Sequence, residues 1–177
     1  SHINGANDNG SGTAIIHSLA SFFSNHPVPS DVQIFFLFTG SEETGLRGMK
    51  HFMSTIGNTL DRTTTLFVNF DNVGGGDLHY LLGEGMLSYQ PYDPELIDLA
   101  KRVDTQGKIM PRKNLLLPTD ALVPAAAGFK AITFISFMPN SRLPNYHWYT
   151  DTFANVDQDH LRFVEQFAID YVQELLK

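Results

Sequence analysis

Two adjacent carboxylates, Glu42 and Glu43, stand in the stretch Thr39-Gly40-Ser41-Glu42-Glu43-Thr44-Gly45-Leu46-Arg47-Gly48. The residues before them, Val32 to Phe38, read Val-Gln-Ile-Phe-Phe-Leu-Phe. Such an apolar run is expected of a strand buried on both faces of a parallel sheet. After them, Leu46, Met49, Phe52, Met53 and Ile56 recur at helical spacing. The acid pair is therefore expected where a central strand hands over to a helix, the end of an open α/β sheet at which ligands bind. Adjacent acids repel, and a metal or a proton on one of them relieves the repulsion. The plainer alternative is that both decorate a helix N-terminus, which favours negative charge anyway.

Other groups of the same chemistry lie in loops. Asp8 sits in Asn7-Asp8-Asn9-Gly10, Asp71 ends the run Thr64 to Phe70 ahead of Gly74-Gly75-Gly76, and His147 lies in the aromatic loop from Met138 to Thr152. Each has an ordinary reading. Asp8 can shape a turn, Asp71 can bond its own backbone, and a loop histidine is commonly a surface residue. His17, His26, His51, His79 and His160 fall in or beside helices and strands and are read as structural or exposed. The set says more than its members. Three carboxylates and an imidazole on separate strand-end loops can converge on one carboxyl edge of a sheet. The chain has no cysteine, so the resulting oxygen and nitrogen site is compatible with zinc. Glu42 is then left over as a base.

The elements that must position these residues alternate. From Thr13 a broad apolar stripe of Ile15, Leu19 and Phe22 predicts a helix, which the prolines between Asn25 and Ser30 end. Thr64 to Phe70, Leu78 to Leu82 and Lys130 to Phe137 read as strands. Asp93-Pro94-Glu95 is a helix start, with Asp as cap and Pro at the first helical position. Thr119 to Gly128 reads as a short alanine-rich helix, and Leu161, Val164, Ala168, Tyr171 and Leu175 mark a C-terminal one. Lys108 to Leu117 fits neither period. The alternation predicts an α/β fold with a largely parallel sheet. The 177 residues suit one domain, 1–177, and 42% apolar with 18% charged residues is a globular composition. A formal net charge of -7 makes nucleic acid and anionic membrane surfaces poor partners and favours cations.

At this level of detail the residues resemble a known family. Gly5-Ala6-Asn7-Asp8-Asn9-Gly10-Ser11-Gly12 is similar to the bridging-aspartate motif of the two-zinc aminopeptidases of metallopeptidase clan MH. Ser41 to Gly48 resembles that family's double-glutamate motif, and Asn69-Phe70-Asp71-Asn72 its next metal aspartate. Thr119-Asp120, followed by Gly128-Phe129-Lys130-Ala131, resembles the segment before its last strand. Tyr146-His147-Trp148-Tyr149-Thr150-Asp151-Thr152 fits its final His-x-x-x-Asp-Thr motif. The five motifs occur in the family's order between about residues 5 and 156.

The resemblance implies a three-layer αβα fold with a mostly parallel, mixed central sheet, of the zinc-exopeptidase kind. It implies that Asp8 bridges two zinc ions, that Glu43 and His147 complete the first, and that Asp71 belongs to the second. Glu42 would be the general base for attack of a metal-bound water on the peptide carbonyl. Asp120 and Asp151 would orient these groups without touching the metal. The substrate would be a peptide with a free N-terminus, its α-ammonium drawn by the surplus of acids. The family's upstream His-x-Asp motif has no clear counterpart. His2-Ile3-Asn4 carries Asn in the Asp position and stands only six residues before Asp8. The sequence is therefore expected to be N-terminally truncated relative to the family domain, to hold one zinc or none, and to self-associate through an exposed sheet. A single-zinc glutaminyl-cyclase-like enzyme and a non-catalytic peptidase-like binding domain are the alternatives. The family is frequently secreted or membrane-anchored, which favours an extracytoplasmic location.

Overall fold

The computed structural model describes residues 3–85, 88–114 and 117–177. His2, the alternative ligand, lies outside the described residues. Helix α1 spans Gly10–Ser24, with the Asn9 side chain accepting the Gly12 N–H as its cap. A 3-10 turn over Glu42–Thr44 leads to α2, Arg47–Thr55. Strands β1 (Leu66–Asp71), β2 (Asp77–Glu84) and β3 (Gln90–Pro91) precede α3 (Pro94–Val103). Strand β4 (Met110–Asn114), α4 (Leu122–Ala126), β5 (Lys130–Phe137) and α5 (Gln158–Leu175) follow. Helix α3 starts as its sequence predicts, with the Asp93 carboxylate accepting the N–H groups of Glu95 and Leu96.

The sheet is mixed. β1 and β5 pair in parallel, as do β2 and β4, whereas β2 runs antiparallel to β5 and to β3. Strand alternation divides the core between two faces. On one, Phe70 stacks on Phe134, which meets Phe167 and Tyr171 of α5. On the other, Phe67 packs edge-on against Phe52 of α2 and against Phe129. Helices therefore cover both faces, in agreement with the expected three layers.

Two expectations are corrected. Lys108 to Leu117, which fits neither period, contains β4. Its Pro111 faces Tyr80 in the ladder, and Met110, Pro111 and Lys113 are exposed. An edge strand tolerates proline and polar side chains, so it carries no apolar rhythm to read. Conversely, Val32 to Phe38 joins no ladder among the described residues. Phe35 is 53% exposed and Phe38 54%, far from burial on two faces. The only strand paired with β1 among the described residues is β5, so the other edge of β1 is open. An apolar groove of about 830 Å³ separates Val32 to Phe38 from β1. Without a neighbouring strand, an apolar run can line a groove but cannot be buried on both faces.

The approach of α1 to β1 leaves no room for a side chain at Gly12. A Cβ there would lie 2.2 Å from the Phe70 carbonyl oxygen and 2.4 Å from the Asn9 side-chain oxygen that caps the helix. Gly12→Ala should therefore force α1 off the sheet and lower stability by about 1–3 kcal/mol, the usual cost of overpacking. The urea midpoint measures this, and an unchanged midpoint would show that the contact can relax freely.

Candidate metal centre

Asp8 is placed by its neighbours. The Asn9 amide donates to the Phe70 carbonyl at 3.1 Å and its oxygen accepts the Asn72 N–H at 3.3 Å. These bonds fasten the start of α1 to the end of β1. Asn7 is buried, and its side-chain amide donates to the Pro144 carbonyl at 2.9 Å while its oxygen accepts the Gly74 N–H at 2.7 Å. The Asp151 carboxylate, 1% exposed, accepts the backbone N–H groups of Asn7 at 2.6 Å and Asp8 at 3.1 Å. One anion thereby clamps the Asp8 loop onto the loop that carries His147.

Glu43 arrives from the 3-10 turn, which is entered through Ser41 in the left-handed region, φ 57°. His147 is also left-handed, φ 52°, as is Asn72 at 49°. Such backbone is sparsely populated by residues with a Cβ and clusters at functional sites. Here it turns the three loops toward a common point. The His147 Nε2 atom lies 2.7 Å from a Glu43 oxygen and 3.3 Å from an Asp8 oxygen. One ligand atom from each of the three residues lies within 4.8 Å of the others. The Tyr146 ring stacks on the imidazole with centroids 3.7 Å apart. Two carboxylates and an imidazole at these separations fit one divalent cation, and zinc in particular.

The remaining sequence candidates stand around this triad without joining it. Asp71 is buried and reaches Asp8 through Asn72, whose amide donates to Asp71 at 3.0 Å and to Asp8 at 3.2 Å. Glu42 is half-buried and lines the same groove as Asp8, Glu43, Asp71 and Asp120. Asp120 accepts a short hydrogen bond from the Thr39 hydroxyl. Burial, reinforced by Asp71, Glu43 and Asp120, pushes the Glu42 carboxyl up to about 8. Burial, followed by the charge of Asp8, raises Asp71 to about 7. Asp8 and Asp120 are raised as well, each mainly by loss of solvent. The cluster is rich in negative charge and poor in counter-charge, which is the electrostatic preparation for a cation.

Sequence reasoning overlooked Asn7 and Asn72, the amides that tie these acids together. Their position beside Asp8 and Asp71 was the only available signal, and asparagines are common in turns.

A mixed α/β sheet carrying an imidazole–carboxylate triad defines a candidate metal-binding domain. The model for Peptidase family M28 matches residues 1–172, and the chain belongs to that family. Aminopeptidase YwaD of Bacillus subtilis (strain 168) is 39% identical over 70 residues, 40% of this chain and 15% of that protein. The probable lipoprotein aminopeptidase LpqL of Mycobacterium tuberculosis is 26% identical over 184 residues, covering 89% of this chain and 37% of that protein. The crystal structure of a zinc aminopeptidase from Bacillus subtilis aligns with a TM-score of 0.79 at 22% identity, covering 99% of this chain and 43% of that one. The chain thus spans well under half the length of these relatives.

The raised carboxyls fix the sign of a pH dependence. Acids whose pKa is higher folded than unfolded bind more protons in the native state, so their stabilising contribution is complete below about pH 4 and fades as pH rises through about 7 to 8. The metal-free protein should accordingly lose melting temperature between about pH 5 and 8. Asp71→Asn should flatten the decline, and saturating zinc should oppose it. Calorimetry checks this; a flat profile in the metal-free wild type would mean that the acids do not repel one another as placed.

Proposed function

We propose that the protein is a zinc-dependent aminopeptidase-type hydrolase that removes residues from the N-terminus of peptides. The observation that carries this reading is the Asp8–Glu43–His147 triad, with the half-buried Glu42 next in sequence to one of its members. Asp8, Glu43 and His147 would hold the ion, and Asp71, linked to Asp8 through Asn72, would serve a second one. When bound, zinc supplies Lewis acidity that makes water nucleophilic near neutral pH. Glu42 accepts the proton of the attacking water and passes it to the leaving amine. A cation beside it lowers its pKa from about 8 toward the working range of a general base. The unneutralised acids attract the substrate's α-ammonium, which favours exopeptidase action. Asp151 and Asp120 act at one remove, holding the Asp8 backbone and the Thr39 hydroxyl.

One observation favours a second reading. Among the described residues one three-residue group could hold a metal ion, which suits a single-zinc, glutaminyl-cyclase-like enzyme. Products separate the two, since a peptidase releases free amino acids and a cyclase closes N-terminal glutamine. Metal bound without either product would favour a non-catalytic binding domain. The lipoprotein name of LpqL supports an extracytoplasmic location. Among the described residues no helix is long and apolar enough to cross a membrane.

The test combines metal analysis with turnover of peptides bearing a free N-terminus. Glu42→Gln should keep its zinc and lose turnover by roughly a hundred- to ten-thousandfold, the range for a positioned base. His147→Ala should lose the metal itself, leaving two carboxylates without an imidazole. Wild-type turnover in Glu42→Gln would end the assignment of the base. The open edge of β1 also supports self-association of this chain, because unpaired edges recruit partners. Light scattering should then show a species larger than a monomer, and a monomer at all concentrations would count against it.

A further inference from the structure

Glu84 is the most deeply buried carboxylate outside the site, at 0% exposure, on the last residue of β2. It accepts three hydrogen bonds, from the Tyr92 hydroxyl at 2.5 Å, the Thr119 N–H at 3.0 Å and the Thr119 hydroxyl at 3.0 Å. The Thr133 hydroxyl closes the network, 2.9 Å from both the Tyr92 and Thr119 oxygens. Burying an acid costs several kcal/mol unless its lone pairs are satisfied, and loss of solvent holds this one up at about 7. What it secures is Thr119, by backbone and side chain together. The next residue is Asp120, one of whose oxygens accepts the Thr39 hydroxyl. Its other oxygen is buried with no hydrogen-bond partner among the described residues.

Thr39 matters because of what it adjoins. Val32 to Phe38 joins no ladder among the described residues, and Glu42 and Glu43 follow three and four residues after Thr39. Among the described residues two hydrogen bonds tie the entry to their turn, the Thr39–Asp120 bond and the Gly48 N–H donating to the Gly40 carbonyl at 3.0 Å, while Ile34, Phe36 and Leu37 pack against the core. At the second tie a Cβ on Gly48 would meet the Gly40 oxygen at 2.3 Å, so the backbones are in direct contact.

We propose that Glu84 is a positioning residue for the double-glutamate turn, acting through Thr119, Asp120 and Thr39. The proposal rests on the reading of that turn as the working loop.

Amide hydrogen exchange on the metal-free chain tests this without requiring activity. The turn is reported by the amides of Gly45, Leu46, Arg47 and Gly48, which donate to Glu42, Glu42, Ser41 and Gly40 respectively. Thr39→Val should speed their exchange about tenfold relative to β5 amides, the equivalent of one hydrogen bond. Glu84→Ala should do the same, and the double variant should be no faster than the faster single one. Glu84→Gln should restore slow exchange, because its oxygen can take the Thr119 N–H while the hydroxyls rotate to accept from its amide. If Glu84→Ala does not fold, Thr119→Val, which keeps the N–H bond and removes the hydroxyl, should shift the same amides less. Zinc affinity should fall about ten- to a hundredfold in Glu84→Ala, as for other supports of metal ligands. Exchange at the turn that only tracks β5, or that adds in the double variant, would overturn the proposal. Failure of the wild type to bind zinc would instead overturn the functional reading of the loop, with the exchange data still deciding the positioning role.

Discussion

The candidate metal centre is assembled around one buried carboxylate. Asp151 takes two backbone N–H groups from residues more than 140 positions earlier in the chain. Charged acceptors make stronger hydrogen bonds than neutral ones, and a buried anion cannot readily be left without them. The pairing is therefore close to obligatory once the chain has folded, and it fixes which loops meet. Asp8 comes with Asn7, and His147 lies four residues before Asp151. Asn7 extends the clamp by bonding the Pro144 carbonyl and the Gly74 N–H. The triad stands on a hydrogen-bond arrangement built by Asp151, Asn7 and the Asp8 backbone.

Electrostatics explain why the arrangement is more than a buried polar cluster. Burial raises the proton affinity of Glu42, Asp71, Asp8 and Asp120 alike, and neighbouring acids raise Glu42, Asp71 and Asp8 further. A site of that kind takes up either protons or a cation. His147 sets a ring nitrogen against both Glu43 and Asp8, so that one imidazole and two carboxylates face one another. Imidazole with carboxylates is a zinc set, whereas carboxylates alone suit harder cations. Asp71, deeper and linked only through Asn72, is poised beside the triad and outside it.

The open edge of β1 shapes the site from the other side. Val32 to Phe38 joins no ladder among the described residues, and the turn carrying Glu42 and Glu43 is tied by the Thr39–Asp120 bond and the Gly40–Gly48 contact, with Ile34, Phe36 and Leu37 packed on the core. A strand ladder distributes restraint over many backbone bonds, but here it falls on a few side chains. Those side chains in turn lean on Glu84, Thr119 and Thr133 in the closed part of the sheet.

Much of this was legible in the sequence. Local rules sufficed for α1, α3 and α5, for β1, β2 and β5, and for the Asp93 cap, since periodicity and capping act over a few residues. The family motifs identified Asp8, Glu43 and His147, which the fold then brings to one point. Composition alone limited any metal site to imidazole and carboxylate. The tertiary structure decided three other matters. It put β4 at an edge, where the absence of apolar rhythm carries no penalty. It left Val32 to Phe38 outside any ladder among the described residues, because an apolar run states what a strand would bury and not which strand lies beside it. It separated Asp71 from the triad and enlisted Asn7, Asn72 and Glu84 as supports, because hydrogen-bond partners 35 to 144 residues apart are chosen by packing in space.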